Sequence, residues 1–148
     1  MYNGKILLKT VVVSVGVAVI TVLIQLISQI NVLYAENNVL FSVVWGIMLI
    51  ACGINAYLMS VLNLNTKDAE NAVTSLYIQF MCFVVWSLLF FVYGNFIFAA
   101  VISVVLLASS NVSTVLFRRL GIKYCIVMIL TELWTVYIVF VSMTRTIW

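Results

Sequence analysis

The chain of 148 residues contains no histidine and no proline, and only 7% of its residues are charged. Without histidine it lacks the most common metal ligand, the usual general base, and every Ser-His or Cys-His catalytic pair. Seven basic and four acidic side chains cannot cover a soluble domain of this length, because such domains carry about 25% charged residues. These absences exclude a water-soluble globular protein and argue against a hydrolase or any other enzyme.

Cysteines are also few, and they form no recognisable framework. Cys52, Cys82 and Cys125 are odd in number, form no C-x-x-C pair and lie in or beside apolar runs. They are predicted to be small apolar core residues, with no disulfide, metal or cofactor. The net charge of +3 is scattered along the chain, so we expect no nucleic-acid partner.

Long apolar runs are what the sequence does contain, with 66% hydrophobic residues and a mean hydropathy of +1.29. A helix needs about 20 apolar residues to cross a membrane. Five runs qualify, at residues 10–30, 39–62, 72–93, 96–117 and 123–143. The pattern predicts an all-α fold, an integral membrane bundle of five transmembrane helices forming a single domain over residues 1–148. Only Gly94 and Asn95 separate the third and fourth spans, which are therefore predicted to be antiparallel neighbours.

The basic residues predict the orientation of the bundle. With the N terminus inside, Arg145 alone lies outside, and the cytoplasmic segments carry Lys5, Lys9, Lys67, Arg118, Arg119 and Lys123. This bias predicts a multi-pass protein with its N terminus in and its C terminus out. We expect it in a bacterial cytoplasmic membrane.

Four spans carry a polar side chain at a similar depth: Asn55, Gln79, Asn111 and Glu132. From the rise per residue, all four lie roughly 9–14 Å from the cytoplasmic edge. The layer is either the polar floor of a cavity or a set of interhelical hydrogen bonds, each worth about 0.6 kcal/mol.

The third span carries an aromatic stripe. Gln79, Phe83, Trp86 and Phe90 follow an i, i+4, i+7, i+11 spacing and share one helical face. Such a face suits a flat apolar ligand with a polar edge, although it is also typical of plain helix packing.

These residues resemble a known pattern in several spans. The matching positions are Trp45, Gly53, Ala56 and Tyr57 in the second span, Gln79, Trp86, Ser87, Phe90 and Phe91 in the third, Ala99 in the fourth, Arg118 and Arg119 in the turn that follows it, and Trp134 in the fifth. Over about residues 40–148 the chain resembles the TspO or translocator family of tryptophan-rich sensory proteins, also called peripheral benzodiazepine receptors.

The resemblance implies a receptor or sensor that binds a tetrapyrrole such as a porphyrin, or another flat, lipid-like or sterol-like molecule, within the bundle. The implied ligand-binding residues are Trp45, Gln79, Phe83, Trp86, Phe90 and Trp134. Because the chain has no histidine, a metal-free ring or weakly ligated haem fits better than tightly held haem. The resemblance also implies a homodimer through the third helix, surrounded by membrane lipids.

The sequence departs from the family pattern in its polar and proline positions. The family's long first loop, with its tryptophan and prolines, is reduced to residues 31–38. Phe83 replaces an asparagine, Leu88 replaces a proline, and the last asparagine of the pattern falls near Ser142. The helical framework is therefore expected to remain without the family's lid.

Two further functions stay open from the residues alone. Glu132 is a carboxylate within a span, which is typical of a proton- or cation-coupled transporter. A structural membrane subunit is the other alternative. Glu132 and Trp134 point about 200° apart on a helix, so Glu132 is predicted to face a neighbouring helix, a second subunit or lipid rather than a ligand.

Overall fold

The computed structural model describes residues 38–61 and 67–147, together with positions 12, 15, 16, 19, 20 and 23 before them. Within this described part the chain forms four helices: α1 (Asn38–Val61), α2 (Lys67–Ser87), α3 (Phe96–Leu120) and α4 (Ile122–Ile147). α2 continues directly into a π-helical segment, Leu88–Val92. The six earlier positions are also helical, and no strand occurs among the described residues. The all-α class is confirmed.

Three of these helices are long and apolar enough to cross a membrane. They are Lys67–Val92, Phe96–Leu120 and Ile122–Ile147, of 25 or 26 residues each. At 1.5 Å per residue such helices extend nearly 40 Å, more than the roughly 30 Å of a hydrocarbon core. α1 contains a shorter apolar stretch, Val43–Asn55. The predicted first span lies largely outside the described residues, so five spans remain a prediction.

The helix boundaries follow local capping chemistry. α2 begins at Lys67 rather than at position 72, and its first turn contains Asp68 and Glu70, whose charges interact favourably with the helix dipole. Between α2 and α3 the chain turns at Gly94, which has a φ of +60°. The next residue, Asn95, caps α3 by accepting a 3.3 Å hydrogen bond from the amide of Phe98. A glycine suits this left-handed conformation, and an asparagine suits the cap.

The helices α2, α3 and α4 pack side by side as consecutive antiparallel neighbours, and α1 packs against α4 and α2. This arrangement gives the bundle two distinct ends. Lys67, Arg118, Arg119 and Lys123 lie at what we call the basic end. Arg145 lies at the opposite end, here called the Arg145 end.

Hydroxyl groups within α3 and α4 are satisfied inside the bundle. Ser109, for example, donates to the carbonyl of Leu106 at 2.8 Å, and several other serines and threonines donate similarly to carbonyls three or four residues earlier. Between helices, the hydroxyls of Ser75 and Ser113 lie 3.0 Å apart and share a hydrogen bond.

Outward-facing positions of α3 and α4 carry large apolar side chains such as Ile97 and Phe140, both 65% exposed. The outer surface is therefore suited to lipid.

Candidate functional site

Five aromatic side chains from three helices meet in the interior. Trp45 comes from α1, Phe83, Trp86 and Phe90 come from α2, and Trp134 comes from α4; we call this group the aromatic cluster. Trp45 lies at its centre, with ring centroids 4.4 Å from Phe83, 5.5 Å from Trp86 and 6.2 Å from Trp134. The rings of Trp86 and Phe90 stack at 5.0 Å. The structure thus brings together all the aromatic residues predicted for the site.

The stripe on α2 forms the largest part of this cluster. Gln79, Phe83, Trp86 and Phe90 are all buried, with exposures of 0%, 2%, 0% and 5%. Their shared face points into the bundle, as the helical spacing predicts. Trp134 is half-buried at the margin, where its ring also lies 5.2 Å from that of Tyr137. The cluster is therefore closed on the side of α2 and partly open on the side of α4.

A hydrogen bond between α2 and α4 fixes the indole of Trp86. The Nε1 of Trp86 donates to the hydroxyl of Ser142 at 2.9 Å, and that hydroxyl donates in turn to the carbonyl of Ile138 at 2.8 Å. Ser142 was not among the predicted site residues. The sequence signal that could have identified Ser142 is its position near the last asparagine of the family pattern.

Gln79 is the polar member of the site. Its side chain is fully buried, and within the described part of the chain neither Nε2 nor Oε1 has a hydrogen-bond partner. Buried polar groups in folded proteins nearly always have partners, because an unsatisfied one costs about 1–3 kcal/mol. An amide offers both a donor and an acceptor, so Gln79 is suited to a molecule that carries both groups on one edge.

The predicted polar layer is only partly formed. Asn55 is 4% exposed and donates from Nδ2 to the carbonyl of Tyr124 at 2.9 Å, which links α1 to α4. Asn111 is exposed and donates to the carbonyl of Leu107 in its own helix, so the expectation that it lines a cavity or bonds to another helix is wrong. Glu132 is half-buried and is not part of the aromatic cluster. Gln79 is therefore the fully buried amide that shares the face of α2 with three rings of the aromatic cluster.

Another contact between helices lies one turn from Asn55. The thiol of Cys52 and the hydroxyl of Thr131 lie 3.2 Å apart, and both side chains are buried. Together with the amide of Asn55, this pair joins α1 to α4 on the basic side of Trp45. All three cysteines are free thiols.

Sequence comparison relates the chain to one family. Residues 32–148 match the profile of the TspO/MBR family. Neither curated proteins nor solved structures give a match. The matched region includes every residue of the aromatic cluster together with Gln79 and Ser142.

Proposed function

Because the chain belongs to the TspO/MBR family, we propose that it is a membrane receptor for a flat hydrophobic ligand, either a tetrapyrrole or a sterol-like molecule. Membership makes it an integral membrane protein of a non-enzymatic binding and sensor family. The prediction that the chain is not an enzyme is thereby confirmed. Members of this family bind hydrophobic ligands in membranes, and the ligand-binding residues proposed here are the aromatic cluster and Gln79.

The buried amide of Gln79 is the observation that carries the proposal. It lies one helical turn before Phe83, and its donor and acceptor have no partner in the described part of the chain. A porphyrin or a related ring presents large apolar faces to stack on tryptophan, and its edge carries polar groups for an amide. The site therefore combines the two features that such a ligand requires.

Access to this site requires the rings to separate, because they contact one another in the structure. Trp45 is the contribution of α1 to the cluster. Among the described residues, α1 packs less extensively on α2 and α4 than those helices pack with α3. A displacement of α1 that carries Trp45 with it therefore opens the site at the smallest cost in packing. The ligand would then lie between Trp45 and Trp86.

Orientation and assembly belong to the same proposal. The cations at the basic end support an inward-facing position for that end, since cytoplasmic segments are enriched in lysine and arginine. We assign the protein to a bacterial cytoplasmic membrane, as a single domain with five spans and with its N terminus inside. A homodimer through α2, the third predicted span, completes the proposal.

Tryptophan fluorescence provides a direct test, because three of the chain's four tryptophans belong to the aromatic cluster. We expect a metal-free porphyrin to quench the emission of the purified protein saturably. Gln79→Leu should weaken binding about tenfold, since the polar edge of the ligand loses its buried hydrogen-bonding partner in the protein. The same change should leave the thermal stability equal or higher, because it removes an unsatisfied amide from the core.

Asn111→Leu is the matched control, because it removes an exposed amide from α3. It should leave porphyrin affinity unchanged. If Gln79→Leu lowers stability and keeps full affinity, the amide is a packing element and the proposed site is wrong. Non-saturable quenching that is equal in all three proteins would also refute it.

A further inference from the structure

A groove lies at the Arg145 end, where the α2–α3 turn meets the last turn of α4. Its volume is about 410 Å³, and its lining includes Tyr93, Asn95, Phe96, Ile97, Arg145 and Thr146. This groove is separate from the interior of the aromatic cluster, although Phe96 forms part of both neighbourhoods. The ring of Phe96 lies 5.3 Å from that of Phe90.

The groove has a defined framework. The hydroxyl of Thr146 donates to the carbonyl of Phe96 at 3.2 Å and holds the end of α4 against the start of α3. On the other side, the backbone N–H of Asn95 donates to the carbonyl of Leu89 at 2.9 Å and fixes the turn. The lining therefore belongs to two helix ends that are joined by hydrogen bonds.

The chemistry of the lining favours an anion. Arg145 brings a permanent positive charge, and no Asp or Glu lies among the lining residues. A guanidinium has five N–H donors in a planar fork that matches the oxygens of a phosphate or carboxylate. It can therefore bind an anion in addition to its contacts within the protein.

The surroundings favour an anion that is attached to a lipid. Arg145 follows Lys123 by about one membrane thickness along α4, since 22 residues rise roughly 33 Å. Its guanidinium thus lies at the level of lipid headgroups. From Ile97 in the lining, one face of α3 continues to Val101 one turn further on, and these side chains are 65% and 56% exposed, which makes an apolar track away from this end. Acyl chains can pack on that track while the headgroup contacts Arg145.

We infer that this groove binds the headgroup of an anionic phospholipid, with its phosphate on Arg145 and its acyl chains along the exposed face of α3. This function is independent of the ligand proposed for the aromatic cluster. It gives the protein a lipid site at the membrane surface opposite to the basic end.

The test measures binding of short-chain phosphatidylglycerol to the purified full chain in a non-ionic detergent by native mass spectrometry. Short-chain phosphatidylcholine and inorganic phosphate serve as comparison ligands. We expect phosphatidylglycerol to bind about tenfold more tightly than phosphatidylcholine, and Arg145→Gln to remove about that factor. Arg119→Gln, which deletes an exposed cation at the basic end, should change the affinity less than twofold.

A second variant tests the groove without deleting the arginine. Asn95→Asp retains a good helix cap but adds a negative charge to the lining, so it should weaken phosphatidylglycerol binding severalfold while the thermal stability stays unchanged. Equal losses in Arg145→Gln and Arg119→Gln would show general charge attraction and overturn the site. Unchanged binding in Arg145→Gln or Asn95→Asp would do the same. Displacement of the lipid by millimolar inorganic phosphate would overturn the lipid assignment in favour of a free anion.

Discussion

The indole nitrogen of Trp86 lies 2.9 Å from the hydroxyl oxygen of Ser142, although the two residues are 56 positions apart in the chain. This hydrogen bond joins α2 to α4 beside the stacked rings of Trp86 and Phe90. The side chains of Trp86 and Ser142 are both fully buried. The bond therefore fixes the orientation of one of the three tryptophan rings in the candidate site.

Ser142→Ala should destabilise the protein by about 1–3 kcal/mol, because it leaves the buried indole donor of Trp86 without its acceptor. Thermal unfolding in detergent measures the effect. Ser109→Ala is the matched control, since that hydroxyl donates to the carbonyl of Leu106 in its own helix. It should cost much less. Equal unfolding temperatures for the two variants would contradict the structural role of the Trp86–Ser142 bond.

Trp86→Ala should lower porphyrin affinity severalfold or more, since an aromatic contact is worth about 0.5–1.5 kcal/mol beyond its buried area. Trp86→Phe retains a ring and should keep most of the affinity. Val105→Ala on α3, where the side chain is 47% exposed, is the mild control. Fluorescence titration of folded variants compares them. Equal losses in Trp86→Ala and Val105→Ala, or no loss in either, would mean that the aromatic cluster serves packing alone.

Glu132→Gln should keep near-normal stability and near-normal porphyrin affinity, because the half-buried side chain of Glu132 is outside the aromatic cluster. Glu132→Leu should change stability or oligomeric state more than binding. Porphyrin titration and size-exclusion chromatography give these quantities. A proteoliposome that acidifies with the wild type but not with Glu132→Gln would instead favour the transporter hypothesis.

Two isoleucines provide a matched test of orientation. Ile122 at the basic end is 76% exposed and Ile147 at the Arg145 end is 77% exposed. In a background without native cysteines, Ile147→Cys should react with an impermeant maleimide from outside intact cells. Ile122→Cys should react only after the membrane is opened. The reverse pattern would overturn the inward position of the basic end.

The sequence was sufficient to predict the interior face of α2. A periodicity of 3.6 residues places Gln79, Phe83, Trp86 and Phe90 together whatever surrounds them. The meeting of that face with Trp45 and Trp134 was accessible only through the family resemblance, because pairing between helices depends on packing rather than on local spacing. Within the described residues, the resemblance and the structure agree on which aromatic rings lie near one another.

Depth along a helix proved a weaker guide than helical face. Asn111 has an estimated depth similar to that of Gln79, but its side chain is exposed and bonds to the carbonyl of Leu107. A side-chain amide that donates a hydrogen bond to a carbonyl of its own helix does not require a partner in the bundle interior. The π-helical segment after Ser87 was also missed, because its five apolar residues are typical of any membrane-spanning helix. Its first residue, Leu88, stands where the family pattern has proline.

That π-helical segment has a consequence for how chains of this family are aligned. The amide of Tyr93 bonds to the carbonyl of Leu88, a ring one residue wider than in an α-helix. Deleting one residue there would restore α-helical phase and rotate the following turn by about 100°. A related chain with an uninterrupted helix should therefore show a single-residue gap between the positions of Trp86 and Gly94. Such a gap would record a change of helical phase rather than the loss of a loop residue.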